Sequence, residues 1–271
     1  NFLDFKDFFG LPFGVHFRRR SVNNHEQIHI TSESVGNAVD MISELEEEAL
    51  SKKPADELVI HVDGGHIKSV NPEERSFEAM TACIYDPKSL KYCSDTGKSI
   101  LHDKHCVASS MRDGQEQMKK RTIVAALKQG ICPNTKVTAL CDGAENCWNI
   151  IDALEPISGS VEKILDWFHL SMKIQNISLP EKLKEMLIKV KWHLWRGNCD
   201  VALERLDTLL QQTSDKAQSK IKKLIVYIQN NASKIVNYEE RKRLNLPFTS
   251  NLAESTVESL INQRCKGRQN M

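Results

Sequence analysis

Residues 58–65, Leu58-Val59-Ile60-His61-Val62-Asp63-Gly64-Gly65, form a short, largely apolar run that ends on an acid and two glycines. A run of this length, rich in β-branched residues and closed by glycine, predicts a buried strand. The same plan recurs at residues 136–143, where Lys136-Val137-Thr138-Ala139-Leu140-Cys141 is followed by Asp142-Gly143. Taken singly, an Asp-Gly pair after a strand is ordinary turn chemistry. If the two strands are neighbours, however, their carboxylates meet at one sheet edge, and two close anions repel unless a cation sits between them.

Working outward, Phe77–Tyr85 predicts a second strand that turns at Asp86-Pro87, residues 90–109 a third with its loop, and Val161–Leu165 a fifth. Helical spacing predicts helices over 115–129, ending at Gly130, and over 144–154, ending before Pro156. Three strands followed by alternating helix and strand give a mixed α/β sheet, with the first and fourth strands able to lie parallel and adjacent. From about 170 to 245 only helix signals remain, over 181–196, 200–212 and 214–237, until Leu246-Pro247-Phe248 breaks the pattern. A last helix is expected from Asn251 to about Arg264. Upstream, residues 1–20 hold six of the nine phenylalanines and read as an irregular arm, and residues 34–53 as a helix ended by Pro54. The expected plan is therefore an arm and helix (1–55), a first core part (56–170), a helical insertion (171–245) and a final core helix (246–271).

The 271 residues are 40% hydrophobic and 27% charged, which excludes disordered, collagen-like and coiled-coil classes. The longest apolar stretches, such as Leu224–Ile228, have five residues, far short of the roughly 20 of a membrane helix; a soluble protein is expected. The eight cysteines form no Cys-x-x-Cys pair and read as reduced, mostly buried thiols of a cytosolic chain. His102, His105 and Cys106 fit no structural zinc spacing. The chain opens on Asn1, with no signal-peptide pattern, and reads as a piece of a longer protein.

A net charge of +1 hides a polarity. Residues 31–57 carry eight acids against two bases, whereas 216–243 carry eight bases against two acids. A basic C-terminal half points to a polyanionic partner; the plainer reading is a solvated helix face. A third candidate acid is Glu254, three residues after Asn251. That spacing also makes a capping box, and Glu258 one turn on is a rival acid.

Four segments together resemble DDE transposases: Val62-Asp63-Gly64-Gly65; Leu140-Cys141-Asp142-Gly143-Ala144 through Trp148; Leu165-Asp166-Trp167-Phe168-His169; and Ala253-Glu254-Ser255 through Arg264-Cys265-Lys266. The likeness is above all to transposases of bacterial insertion sequences, whose RNase H-like domain is interrupted by a helical insertion. The Mutator and hAT transposases are similar in plan. The resemblance spans about residues 56–271. It implies an α/β fold: an RNase H-like mixed sheet flanked by helices, with an all-α insertion between the fifth strand and the last helix.

The resemblance further implies that Asp63, Asp142 and Glu254 are catalytic and hold two Mg²⁺ or Mn²⁺ ions. Asp166 and His169 fall on the Cys-or-Asp-x-x-His signature and have a supporting role. The reaction implied is metal-dependent cleavage at transposon ends, then attack of the freed 3′-hydroxyl on target DNA, with no covalent enzyme intermediate. Lys216, Lys220, Lys222, Lys223, Lys234, Arg241, Lys242 and Arg243, with Arg264 and Lys266, would grip the phosphate backbone. Trp192 and Trp195 carry apolar neighbours at helical spacing and read as core rather than as base-stacking residues. The expected partners are double-stranded DNA, as transposon ends and as target, and a second copy when assembled on it. The expected location is the bacterial cytoplasm, at the nucleoid. The alternatives are an RNase H-like nuclease without strand transfer and a non-catalytic, transposase-derived DNA-binding protein.

Overall fold

The computed structural model describes residues 53–68, 76–93 and 98–250, all within one compact unit of the chain. The arm at 1–20, the helix expected over 34–53 (all but its last residue) and the last helix, with Glu254, Arg264 and Lys266, lie outside the described residues.

Seven strands are described: β1 (Glu57–Lys68), β2 (Ser76–Tyr85), β3 (Leu90–Cys93), β4 (Lys98–Leu101), β5 (His105–Ser109), β6 (Lys136–Cys141) and β7 (Ser160–Leu165). Five form one sheet in the order β5-β2-β1-β6-β7, while β3 and β4 pair apart as a hairpin. β2 runs antiparallel to both β1 and β5; β1, β6 and β7 are mutually parallel. The fold is thus mixed α/β, a five-stranded mixed sheet flanked by helices. The stretch 90–109, expected to give one strand and a loop, gives a hairpin and an edge strand instead.

One expectation about β1 fails. Gly64-Gly65 does not close the strand, which continues to Lys68 because its antiparallel pairing with β2 runs on to Lys68↔Ser76. The parallel pairing with β6 does stop early, at Val62↔Cys141. Asp63 is therefore a residue within a strand that has just lost its parallel neighbour.

Alternation along the strands sorts their side chains to two cores. Leu58, Ile60 and Val62 of β1, with Val137 and Ala139 of β6, pack under α1 (Glu116–Lys128) and α2 (Glu145–Asp152). Val59, Tyr85, Leu140 and Ile164 face the other way. They join Leu170, Val190, Leu206 and Ile228 from a block of helices. That block comprises α3 (Trp167–Gln175), α4 (Glu181–Trp195), α5 (Cys199–Gln211), α6 (Asp215–Asn231) and α7 (Tyr238–Arg243).

The single helix expected over 214–237 is two. α6 stops at Asn231, whose side chain is taken up by the Tyr227 carbonyl (3.0 Å) and the Trp148 indole N–H (3.3 Å). A short 3-10 turn follows, and Asn237 starts α7 by accepting from the Glu240 N–H at 3.0 Å. Trp195 belongs to the core, as expected: it meets Trp167 at 4.8 Å and Phe248 at 5.6 Å between ring centroids. Trp192 does not. It is 52% exposed on α4, beside Lys189, His193 and Arg196. Among the described residues no helix is long and apolar enough to cross a membrane.

Candidate functional site

The register of the sheet aligns three aspartates. The last β1–β6 pair is Val62↔Cys141 and the last β6–β7 pair is Cys141↔Leu165. One step further along each strand stand Asp63, Asp142 and Asp166. The sequence expectation that Asp63 and Asp142 meet at one sheet edge is met by this register, and Asp166 stands in the same row. The Asp166 N–H donates to the Cys141 carbonyl at 2.9 Å, which fixes the third member against the second.

Each aspartate has a different environment. Asp63 is half-buried, and its Oδ1 accepts from the Gly64 N–H at 2.9 Å. Burial lifts its carboxyl above the ordinary 3.8; the Asp142 and Asp166 charges push the same way, opposed by His169. Asp142 follows the end of β6, where its Oδ1 accepts from the Ala144 N–H at 2.9 Å. Its carbonyl accepts from the Tyr227 hydroxyl of α6 at 2.6 Å. Gly143 makes this turn possible, with φ at +89° and no room for a Cβ, which would stand 2.8 Å from Leu165 Cδ1.

Asp166 is fully buried and caps α3 by accepting from the Phe168 N–H at 3.1 Å. It also accepts from the Ser250 N–H (3.0 Å), the Ser250 hydroxyl (2.5 Å) and His169 Nδ1 (2.7 Å). Burial works against its charge, but the bonds from His169 and Ser250 outweigh it and hold the carboxyl below 3.8. His169 sits one turn into α3, with Nε2 4.0 Å from Asp63 Oδ1. Burial disfavours its cation, yet the Asp166 bond and the charges of Asp166, Asp63 and Asp142 raise it above 6.5. Of the pair singled out in the sequence, His169 therefore lies near Asp63, and Asp166 holds its other ring nitrogen.

Behind this row, His61 is buried two residues before Asp63, its Nε2 3.1 Å from the Tyr85 hydroxyl. Burial pushes it down to about 4, so it is neutral at pH 7. Its Nδ1 is buried without a hydrogen-bond partner.

Ser250 and Tyr227 were not singled out from the sequence. Neither carries a motif; they are found only because the helical block returns to the strand ends. The return is well braced. Tyr238 of α7 donates to the Leu165 carbonyl at 2.8 Å, and the Trp167 N–H donates to the Phe248 carbonyl at 3.1 Å. A second missed group is Cys141, Asp142 and Cys147, whose ligand atoms all lie within 4.8 Å of one another. The Cys141 bond to Cys147, burial and the nearby Asp142 charge all push the Cys147 thiol up. Its sequence signal, two cysteines six apart around an aspartate, is weak alone.

Of the expected DNA contacts, Lys222, Lys223, Lys242 and Arg243 are exposed. Lys220 reaches the Asn176 carbonyl at 2.8 Å. Arg241 departs from the expectation: it is buried, bonding Glu162 at 2.7 Å and the Pro247 carbonyl at 2.8 Å. It is a strut between β7 and the segment leading to Ser250, not a surface cation. The Lys216 side chain, like Arg264 and Lys266, lies outside what is described. Compared with protein-family models and with curated proteins, the chain finds no match.

Proposed function

We propose that this chain is the catalytic part of a DDE transposase, with an RNase H-like core interrupted by the helices α4 to α7. It cleaves DNA at transposon ends and joins the freed 3′-hydroxyl to target DNA by in-line phosphoryl transfer. One observation carries this reading: Asp63, Asp142 and Asp166 each stand one step past the last parallel pair of β1, β6 and β7, with His169 bonded to Asp166 and 4.0 Å from Asp63.

The donor chemistry fits a hard divalent cation. Carboxylates on neighbouring strands, one of them lifted by burial and by like charge, are relieved by Mg²⁺ or Mn²⁺. Asp63, Asp142 and Glu254 are the residues that would hold it. Held by these carboxylates, a divalent cation would supply positive charge for the phosphoryl oxygens and a Lewis acid for the attacking oxygen.

The chain's own groups position and neutralise. Ionised Asp166 keeps the proton on His169 Nδ1 and turns Nε2 toward Asp63. A charged His169 beside three carboxylates lowers the local negative potential that a DNA phosphate must enter. Tyr227 ties the end of β6 to α6, which keeps Asp142 in line with Asp63. Ser250, fastened to Asp166, starts the segment that carries Glu254 four residues later. Lys222, Lys223, Lys242 and Arg243 offer the exposed charge for backbone contacts.

The test uses supercoiled plasmid and an oligonucleotide with a free 3′-hydroxyl, incubated with the chain and Mg²⁺ or Mn²⁺. Nicking and joining are expected, both lost in Asp63→Asn, Asp142→Asn and Glu254→Gln. Nicking without joining would make it a nuclease. Retention of DNA without either would leave a binding protein.

A further inference from the structure

Cys141, Asp142 and Cys147 form a second cluster on the inner side of the β6–α2 turn. Cys141 and Cys147 are 2% and 1% exposed, in the core beneath α1 and α2, whereas Asp142 is only half-buried and opens the cluster to solvent. The two sulfurs and a carboxylate oxygen lie within 4.8 Å of one another. The turn is rigid at this point. The Gly143 N–H lies 3.4 Å from Cys141 Sγ, the Ala144 N–H holds Asp142 Oδ1, and Gly143 keeps a positive φ.

We propose that Cys141, Asp142 and Cys147 form a binding site for a thiophilic divalent ion of the zinc or cadmium class, sharing Asp142 with the row of aspartates. A tetrahedral zinc with bonds of about 2.0–2.3 Å holds its ligand atoms roughly 3.5–3.8 Å apart. The ligand atoms, all within 4.8 Å of one another, must draw together to reach that spacing, with water as the fourth ligand on the open Asp142 side. Two thiolates and one carboxylate are a soft set that ranks zinc far above magnesium. Binding releases one proton from each thiol to solvent and leaves the filled site with a single negative charge. The ion engages the carboxylate that Asp63 needs as its partner, so occupancy opposes catalysis. That consequence rests on the function proposed above; the binding does not.

The experiment titrates the full chain, reduced and metal-free, with Co²⁺ and records the thiolate-to-cobalt charge-transfer band. One equivalent is expected to bind with an intense band that Zn²⁺ displaces. Cys141→Ser and Cys147→Ser each remove the band, while Cys132→Ser, at the opposite end of β6, keeps it. Asp142→Asn keeps both thiols and weakens cobalt binding roughly tenfold or more; it serves as the decisive arm if a serine variant fails to fold. No band, or a band that survives both serine variants, overturns the site. For the shared carboxylate, zinc inhibition of Mg²⁺-dependent cleavage is compared with each variant's own zinc-free rate. Roughly tenfold more zinc is expected to be needed with Cys147→Ser; equal sensitivity overturns the sharing. A chain that binds cobalt this way and never cuts DNA overturns the proposed function and leaves the metal site standing.

Discussion

His169 stands between two aspartates it treats differently: Nδ1 bonds Asp166 at 2.7 Å, while Nε2 lies 4.0 Å from Asp63. The first contact is a hydrogen bond to a buried carboxylate, the second a ring nitrogen facing a half-buried one. Together they favour the protonated ring over the neutral one, and the Asp166 bond sets its orientation from behind.

That arrangement has a pH signature. His169 titrates above 6.5, so its stabilisation is complete below that value and is lost as pH rises through its folded value. Asp166 titrates below 3.8, so its contribution is complete above that value and is lost as pH falls. The pair is fully stabilising between these limits. His169→Gln should cost about 1–3 kcal/mol at about pH 5, with the gap to wild type closing as pH rises through the folded value of His169, above 6.5. Thermal melts across pH check this, and a gap independent of pH would mean an uncharged ring.

Asp63→Asn is expected to cancel cleavage without harming the fold. The substitution removes a charge that burial and Asp142 both disfavour, and it keeps an oxygen for the Gly64 N–H. Without metal, its melting temperature should equal or exceed that of the wild type. With Mg²⁺ or Mn²⁺, the wild type should gain stability that the variant does not. A large metal-free loss would make Asp63 a structural residue.

Arg241 and the pair Lys222 and Lys223 should separate cleanly. Arg241→Ala strands the Pro247 carbonyl and unties Glu162, costing about 1–3 kcal/mol in urea melts. Alanine at Lys222 or Lys223, both exposed, should leave stability unchanged. Each should reduce the salt slope of DNA binding by about 1 if it contacts a phosphate.

Gly143→Ala forces a Cβ to within 2.8 Å of Leu165 Cδ1 and 3.0 Å of the Asn231 side chain, at a φ of +89°. A loss of at least about 1–3 kcal/mol is expected, with cleavage falling further because Asp142 precedes the glycine. Chemical denaturation and a nicking assay on one preparation measure both.

Much of this fold was legible because its signals are local. The apolar runs at 58–62 and 136–141 announce β1 and β6, and Asp142-Gly143 announces a turn that the positive φ of Gly143 requires. Gly64-Gly65 misled for the same reason: glycine weakens a strand locally, but the ladder with β2 overrides it. Arg241 and Trp192 were misread in opposite directions. Hydropathy and spacing report what a residue prefers, whereas Glu162, from β7, decides where Arg241 goes, and Trp192 lies on the exposed side of α4. Ser250 shows the same limit, since its partner Asp166 lies 84 residues away.

Ser250→Ala probes that long-range contact. It removes a hydroxyl 2.5 Å from Asp166 Oδ2 but leaves the backbone N–H on Oδ1 and the His169 bond intact. Asp166 keeps most of its donors, so the stability loss should be modest, about 1 kcal/mol. The bond from Ser250 is one of the causes that hold the Asp166 carboxyl down, so its removal should raise that carboxyl and move acid unfolding to higher pH. The catalytic effect should be larger than the stability effect. Glu254 follows Ser250 by four residues, and on the function proposed above a looser anchor at Ser250 costs the catalytic acids their preorganisation. Single-turnover cleavage should therefore fall more than tenfold, a loss of about 1.4 kcal/mol in the barrier, while DNA affinity holds. Ser250→Thr, which keeps the hydroxyl, should recover most of the rate. Equal rates in the alanine variant and the wild type would show that the anchor at Asp166 does not govern the glutamate.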